Sequence, residues 1–228
     1  MGLIGIDLIR ILLPWLGAAT QYPTSHIKEN MEIFKKSKIV YSSGYFITTN
    51  FEALMLLAKG CLDEKKYFTF NFGASFWLKN HIEKFKEVIN YSNYIICNDE
   101  EALTVGEYYG YEISDKNDLG KIALGIAKLP MPNPNLHRTM IVTNGAKCTI
   151  VAYFNGSDYE VKECPVNKIP KEKIVDTNGA GDSFAGGFLC GLALDKPLFE
   201  CVELGHYLSS EVIQMEGCTF PPVPKIKL

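Results

Sequence analysis

Strand-length apolar runs alternate with helix-patterned segments along most of this 228-residue chain, and no other feature restricts its fold as strongly. Residues 38–41, 67–72, 94–97 and 138–143 read as strands. Between them, 51–62 behind an Asn50 cap, 75–90, a segment opening acidic at 98–101, and 119–129 read as helices. In the second helix Phe76, Ile82, Phe85 and Ile89 share one face. Alternation with short connections predicts a mostly parallel sheet with helices on both faces. Residues 149–154 and 159–163, joined by Asn155-Gly156-Ser157-Asp158, predict a hairpin at an antiparallel edge. Helices over 181–194 and 198–215 follow, and 130–135 is a Pro-rich loop.

The length fits one domain over residues 1–228. Hydrophobic residues at 47% and charged residues at 21% are ordinary for a globule, and a net charge of −3 with no Lys/Arg run beyond two argues against nucleic acid. Seven scattered cysteines form no C-x-x-C pair and four histidines show no ligand spacing, which predicts packed, reduced thiols in the cytoplasm, with the nucleus also compatible. The apolar stretch 3–16 carries Asp7 and Arg10, breaks at Pro14, and is shorter than the roughly 20 residues a membrane span needs. It reads as core-facing chain, so no membrane partner is expected.

Chemistry concentrates in Asp176-Thr177-Asn178-Gly179-Ala180-Gly181-Asp182. The small residues Gly179, Ala180 and Gly181 let main-chain N–H groups approach a ligand, and a helix begins there with its positive dipole end. Asp182 stands in the first turn. An amide nest beside a carboxylate suits phosphoryl transfer to a hydroxyl; an ordinary Gly-rich loop remains the alternative. Ligands of such sheets gather at strand carboxyl ends. Residues 73–76, 98–101 and 143–145 follow strands as this site requires. Neither G-x-x-x-x-G-K-[ST] nor G-x-G-x-x-G occurs, so any phosphate cradle here differs from both.

The run 176–182 resembles the C-terminal signature of the ribokinase-like kinases of sugars and nucleosides, and Asn98-Asp99-Glu100-Glu101 resembles their N-x-x-E motif. Gly205-His206-Tyr207, Gly217-Cys218-Thr219-Phe220-Pro221, Asp195-Lys196-Pro197-Leu198 and Asn71-Phe72-Gly73-Ala74-Ser75-Phe76 are similar to the branch of that family that phosphorylates adenosine. The resemblance runs from about Arg10 to Pro222. It implies transfer of the ATP γ-phosphate to the adenosine 5′-hydroxyl, giving AMP, as in purine salvage. It also implies a ribokinase-like α/β fold.

By this resemblance Asp182 is the general base, and the amides of Gly179, Ala180 and Gly181 hold the migrating phosphoryl. Asn98 and Glu101 organise Mg²⁺ through its waters, or else simply cap a helix. Thr143, Gly145, Asn178, His206, Ile213 and Phe220 fall on the ATP side, where packing is the alternative for the last three. Phe76, Leu12 and Leu16 fall on the adenosine side and Arg10 toward the phosphates; without the resemblance Phe76 reads as core and Arg10 as surface. Two alternatives stay open: a nucleotide-binding chain that does not turn over, and a sister kinase of another nucleoside or sugar.

The family's N-terminal third, with central strands, most of the lid, a Gly-Gly motif and the Asp and Asn for the ribose hydroxyls, has no counterpart. The expectation is a fold lacking those strands, and self-association through an exposed sheet edge where the full-length family is monomeric.

Overall fold

The computed structural model describes residues 2–4, 10–12, 17–112 and 118–220. Strands β1 (Gly2–Ile4) and β2 (Arg10–Leu12) pair antiparallel, and a 3-10 turn spans Gly17–Gln21. Helices α1 (Thr24–Glu29) and α2 (Met31–Lys36) lead to β3 (Ile39–Ser43), α3 (Tyr45–Thr49), α4 (Phe51–Asp63) and β4 (Tyr67–Asn71). Then come α5 (Ser75–Tyr91), β5 (Tyr94–Asn98), α6 (Asp99–Tyr108), α7 (Leu119–Ala127) and β6 (Thr139–Thr143). The hairpin β7 (Cys148–Phe154) and β8 (Tyr159–Pro165), a 3-10 turn at Lys171–Lys173, α8 (Ala180–Ala193) and α9 (Leu198–Val212) complete the described chain.

The main sheet runs β3-β4-β5-β6-β7-β8. Its first four strands are parallel and its last three antiparallel, so the expected sheet and edge hairpin are both present. Side chains alternate across it with period two. Phe68, Phe70, Ile95, Cys97, Met140, Val142 and Ile150 pack into a core beneath α4, α5, α6 and α7. Ile96, Ile141 and Val151 face the opposite core with Phe184, Phe188 and Val202 of α8 and α9. Strands buried on both faces must read as continuous apolar runs, which is why they were visible in the sequence.

Asn50 caps α4 by accepting the Ala53 amide at 2.9 Å, as expected. Helix α5 departs from expectation. His81 has non-helical φ −135° and ψ 30°, which breaks the 3.6-residue phase. Phe85 and Ile89 are fully buried, whereas Phe76, which regular helical phase already places about half a turn from Phe85, is 48% exposed against Trp77. Arg138 precedes β6 rather than opening it, and its buried guanidinium donates to the carbonyls of Ile89, Ile126 and Leu129 at the ends of α5 and α7. Among the described residues β3 pairs on one side only, with β4. No helix of the described residues is long and apolar enough to cross a membrane.

Candidate active site

Helix α8 starts where it does because Gly179 sits at φ +76°, a left-handed conformation that only glycine adopts without strain. The Ser183 amide closes the first turn on the Gly179 carbonyl at 2.8 Å, and the Ala180 amide makes a long 3.3 Å contact to the Thr177 carbonyl. First-turn amides have no intrahelical acceptor and carry the positive end of the dipole. A Cβ placed on Gly181 would meet nothing within 4 Å, so a ligand can reach this backbone. The helix is held in place by close approach to α9: a Cβ on Gly187 would lie 2.4 Å from the Leu204 carbonyl oxygen.

Gly181 and Asp182 face a cavity of about 230 Å³ lined also by Ser43, Tyr45, Asn71, Gly73, Asn98, Glu101 and Thr143. Ser43, Asn71, Asn98 and Thr143 are the last residues of β3, β4, β5 and β6. Four adjacent parallel strands therefore each contribute their carboxyl-terminal residue to one hollow, the position where such sheets bind ligands. Asp182 lies in the first turn of α8, as expected, and is exposed to the hollow's solvent.

Asn98 and Glu101 form a reciprocal capping box: Asn98 Oδ1 accepts the Glu101 amide at 2.8 Å, and Glu101 Oε2 accepts the Asn98 amide at 3.0 Å. Both residues also line the cavity, so the capping box does not take them away from it. Glu101 is 3% exposed. Burial drives its carboxyl up to about 7, against the Asn98 hydrogen bond that favours ionisation, with Glu100 and Asp99 adding repulsion. Burial, then the charge of Asp182, raises the Tyr41 phenol; burial, then Glu101 and Asp182, raises Tyr45. Two acidic groups thus converge on one hollow, an arrangement a cation would relieve.

Among the described residues no group of three or more His, Cys, Asp or Glu is placed to hold a metal ion directly. Glu101, Asp182, Asn98 and Thr143 offer hard oxygens around the cavity, a set that fits a Mg²⁺ ion keeping most of its waters.

The remaining expected site residues sit apart from that cavity lining. Asn178 lies in the turn, its amide donating to Asp176 Oδ1 at 2.9 Å. Gly145 adopts φ +54° after β6, with open space where a Cβ would be. His206 on α9 shares a 2.7 Å hydrogen bond with Thr149 and packs on Phe184. Ile213 follows α9, and Phe220 is 53% exposed. Phe76 stands at the start of α5. Arg10 and Leu12 belong to β2, but their side chains, like Leu16 altogether, lie outside the described residues; so does Pro221. Sequence reading missed Ser43, Tyr45 and Asn71 as lining residues. The strand-end rule, applied above after β4, β5 and β6 but not after β3, finds Ser43 and Tyr45 once it is extended to β3, and Asn71 once the last residue of β4 is counted with 73–76.

Residues 8–226 match the profile of the pfkB family carbohydrate kinases. The chain is 39% identical to adenosine kinase 2 of Arabidopsis thaliana over 220 residues, 94% of this chain and 61% of that protein. It is 34% identical to adenosine kinase of Schizosaccharomyces pombe over 218 residues, 95% of this chain and 62% of that one. The structure of adenosine kinase from Schistosoma mansoni in complex with 2-fluoroadenosine superposes with a TM-score of 0.87 at 30% identity, over 96% of this chain and 63% of that chain. The Anopheles gambiae adenosine kinase in complex with P1,P4-di(adenosine-5) tetraphosphate gives 0.82 at 31%, over 90% and 60%. The chain therefore spans about 61% of the length of the curated relatives it matches.

Proposed function

The chain belongs to the pfkB carbohydrate kinase family, and from that premise we propose that it is a single kinase domain that transfers the γ-phosphate of ATP to the 5′-hydroxyl of adenosine. The observation that supports this most is the shared hollow in which Gly181 and Asp182 of α8 oppose Asn98, Glu101 and Thr143 at the strand ends. Phosphoryl transfer needs positioning and anion stabilisation more than covalent chemistry, and that hollow supplies both kinds of group.

In this reading the adenosine 5′-hydroxyl approaches Asp182, whose carboxylate accepts its proton as the oxygen attacks phosphorus. The amides of Gly179, Ala180 and Gly181 stabilise the charge spread over the equatorial phosphoryl oxygens. Phe76, exposed at the start of α5, offers a ring face to the adenosine base; Leu12 and Leu16 belong to the same acceptor side, and Arg10 reaches toward the phosphates. Thr143, Gly145, Asn178, His206, Ile213 and Phe220 receive ATP. Asn98 and Glu101 would hold Mg²⁺ through its waters, and the bound ion supplies charge neutralisation to the phosphates. Reduced free thiols fit a cytoplasmic enzyme.

The test is direct. Purified chain, ATP, Mg²⁺ and adenosine should yield AMP and ADP in equal amounts by chromatography, with inosine, ribose and fructose as poorer acceptors. No AMP under these conditions, or preferential phosphorylation of a sugar, refutes the proposal.

A further inference from the structure

Asp176 is 4% exposed, and its two carboxylate oxygens bind amides from different parts of the chain. Oδ1 accepts the Asn178 amide at 2.9 Å, inside the glycine turn. Oδ2 accepts the Gly217 amide at 3.0 Å, in the segment that follows α9. Three further bonds tie the turn and the residue before it to the last turn of α9 and its C-cap. The amides of Val175 and Asp176 both reach the Ile213 carbonyl, at 2.8 and 3.2 Å, and the Ser209 hydroxyl donates to the Ala180 carbonyl at 2.7 Å. Gly179 packs against the same segment, since a Cβ there would lie 2.8 Å from Cys218 Sγ.

Residue chemistry explains why an aspartate stands at 176. Only an ionised carboxylate presents acceptors at both oxygens; an asparagine would aim an N–H₂ group at one of the two amides. The paired bonds set the turn's distance and orientation relative to the 213–220 stretch.

We infer that Asp176 is a positioning residue that locks the glycine turn in register with the segment after α9, so that the phosphate end and the Ile213–Phe220 end of the nucleotide site move as one unit. The consequence for turnover rests on the kinase reading above; the mechanical coupling does not. Asp176 touches neither reacting atoms nor substrate in this assignment. It acts through the backbone of 178–183.

The experiment compares wild type with Asp176→Asn, nearly identical in volume, and with Ser209→Ala, by amide hydrogen exchange and steady-state kinetics. Expected is faster exchange at 178–183 and at 217 together, with β5 and β6 unchanged. Alongside it, kcat falls about 10- to 100-fold while the KM for adenosine stays within about twofold. Ser209→Ala should shift the same amides by about three- to tenfold. Should Asp176→Asn fail to fold, Ser209→Ala carries the test. Exchange that rises in only one of the two segments, or rises uniformly through the sheet, overturns the assignment, as does unchanged kcat in an otherwise active enzyme. If wild type phosphorylates no adenosine, the kinase reading falls, and the exchange pattern alone decides the coupling.

Discussion

Glu101 accepts the amide of Asn98 while Asn98 accepts the amide of Glu101, and this reciprocal pair opens α6 on the rim of the cavity that holds Asp182. The helix cap is thus the same side chain that we propose organises Mg²⁺. Glutamine separates them, because its amide oxygen can still accept the Asn98 N–H while the charge is gone. Glu101→Gln should keep thermal stability within about 1 kcal/mol of wild type and raise the Mg²⁺ concentration for half-maximal activity by about tenfold. Glu101→Ala should lose both, at about 1 kcal/mol for the cap. Equal Mg²⁺ dependence in wild type and the glutamine variant leaves only the cap.

Asp182→Asn keeps size and the α8 helix but removes the carboxylate proposed to accept the proton. Its kcat should drop roughly 10²- to 10⁴-fold, with ADP affinity by calorimetry preserved or improved. A variant that turns over normally would remove Asp182 from the mechanism.

Gly179→Ala forces φ +76° on an alanine and drives its Cβ toward Cys218 Sγ at 2.8 Å. The left-handed conformation alone costs about 1–2 kcal/mol. Adding Cys218→Ala should return the steric part of the loss and leave the conformational part. Urea unfolding of the two single variants and the double variant measures this; strict additivity would mean that the thiol does not press on the turn.

Burial holds the His206 imidazole below its ordinary 6.5. As pH falls, the unfolded chain therefore takes up this proton before the folded one. The stability associated with the neutral ring is intact above about pH 6.5 and drains as pH drops through the folded value. His206→Gln should flatten the melting temperature between pH 7 and 5 relative to wild type. Identical slopes would assign the acid sensitivity elsewhere.

At the opposite end of the sheet, burial lowers the Arg138 guanidinium to about 10, yet it donates to three carbonyls that end α5 and α7. Arg138→Ala strips the Leu129 carbonyl of its donor, takes one of two donors from the Ile89 and Ile126 carbonyls, which keep the Ser92 and Leu129 amides, and empties a large volume. A loss of about 3–5 kcal/mol in unfolding free energy is expected, without a change in the KM for ATP. A loss under 1 kcal/mol would show that water replaces the donors.

Much of this molecule was legible before any coordinates. Alternating apolar runs announced β4 to β6 because strands covered on both faces must be apolar throughout; β3, with Tyr41 exposed, showed as a shorter apolar run, and the Asn50 and Asn98 caps marked helix starts. Helices α1, α2 and α3 went unread: at five or six residues each they hold too few turns for a periodic pattern. Phe76 was given a core-facing phase with Phe85, but nine residues at about 100° each put the two on opposite sides of even an unbroken helix, and the His81 kink comes on top of that.

Local chemistry, then, was written in the chain itself: the glycine turn, its neighbouring acid and the N-x-x-E cap depend on residues within a few positions of one another. Their meeting was not. Asp182 shares a cavity with Asn98 and Thr143 only because parallel register sets the ends of β5 and β6 level and because glycine contacts seat α8 against α9. The same holds for Asp176, whose second amide comes from 41 residues away. Short-range propensity cannot encode such distances; the packing of two cores on one twisted sheet sets them.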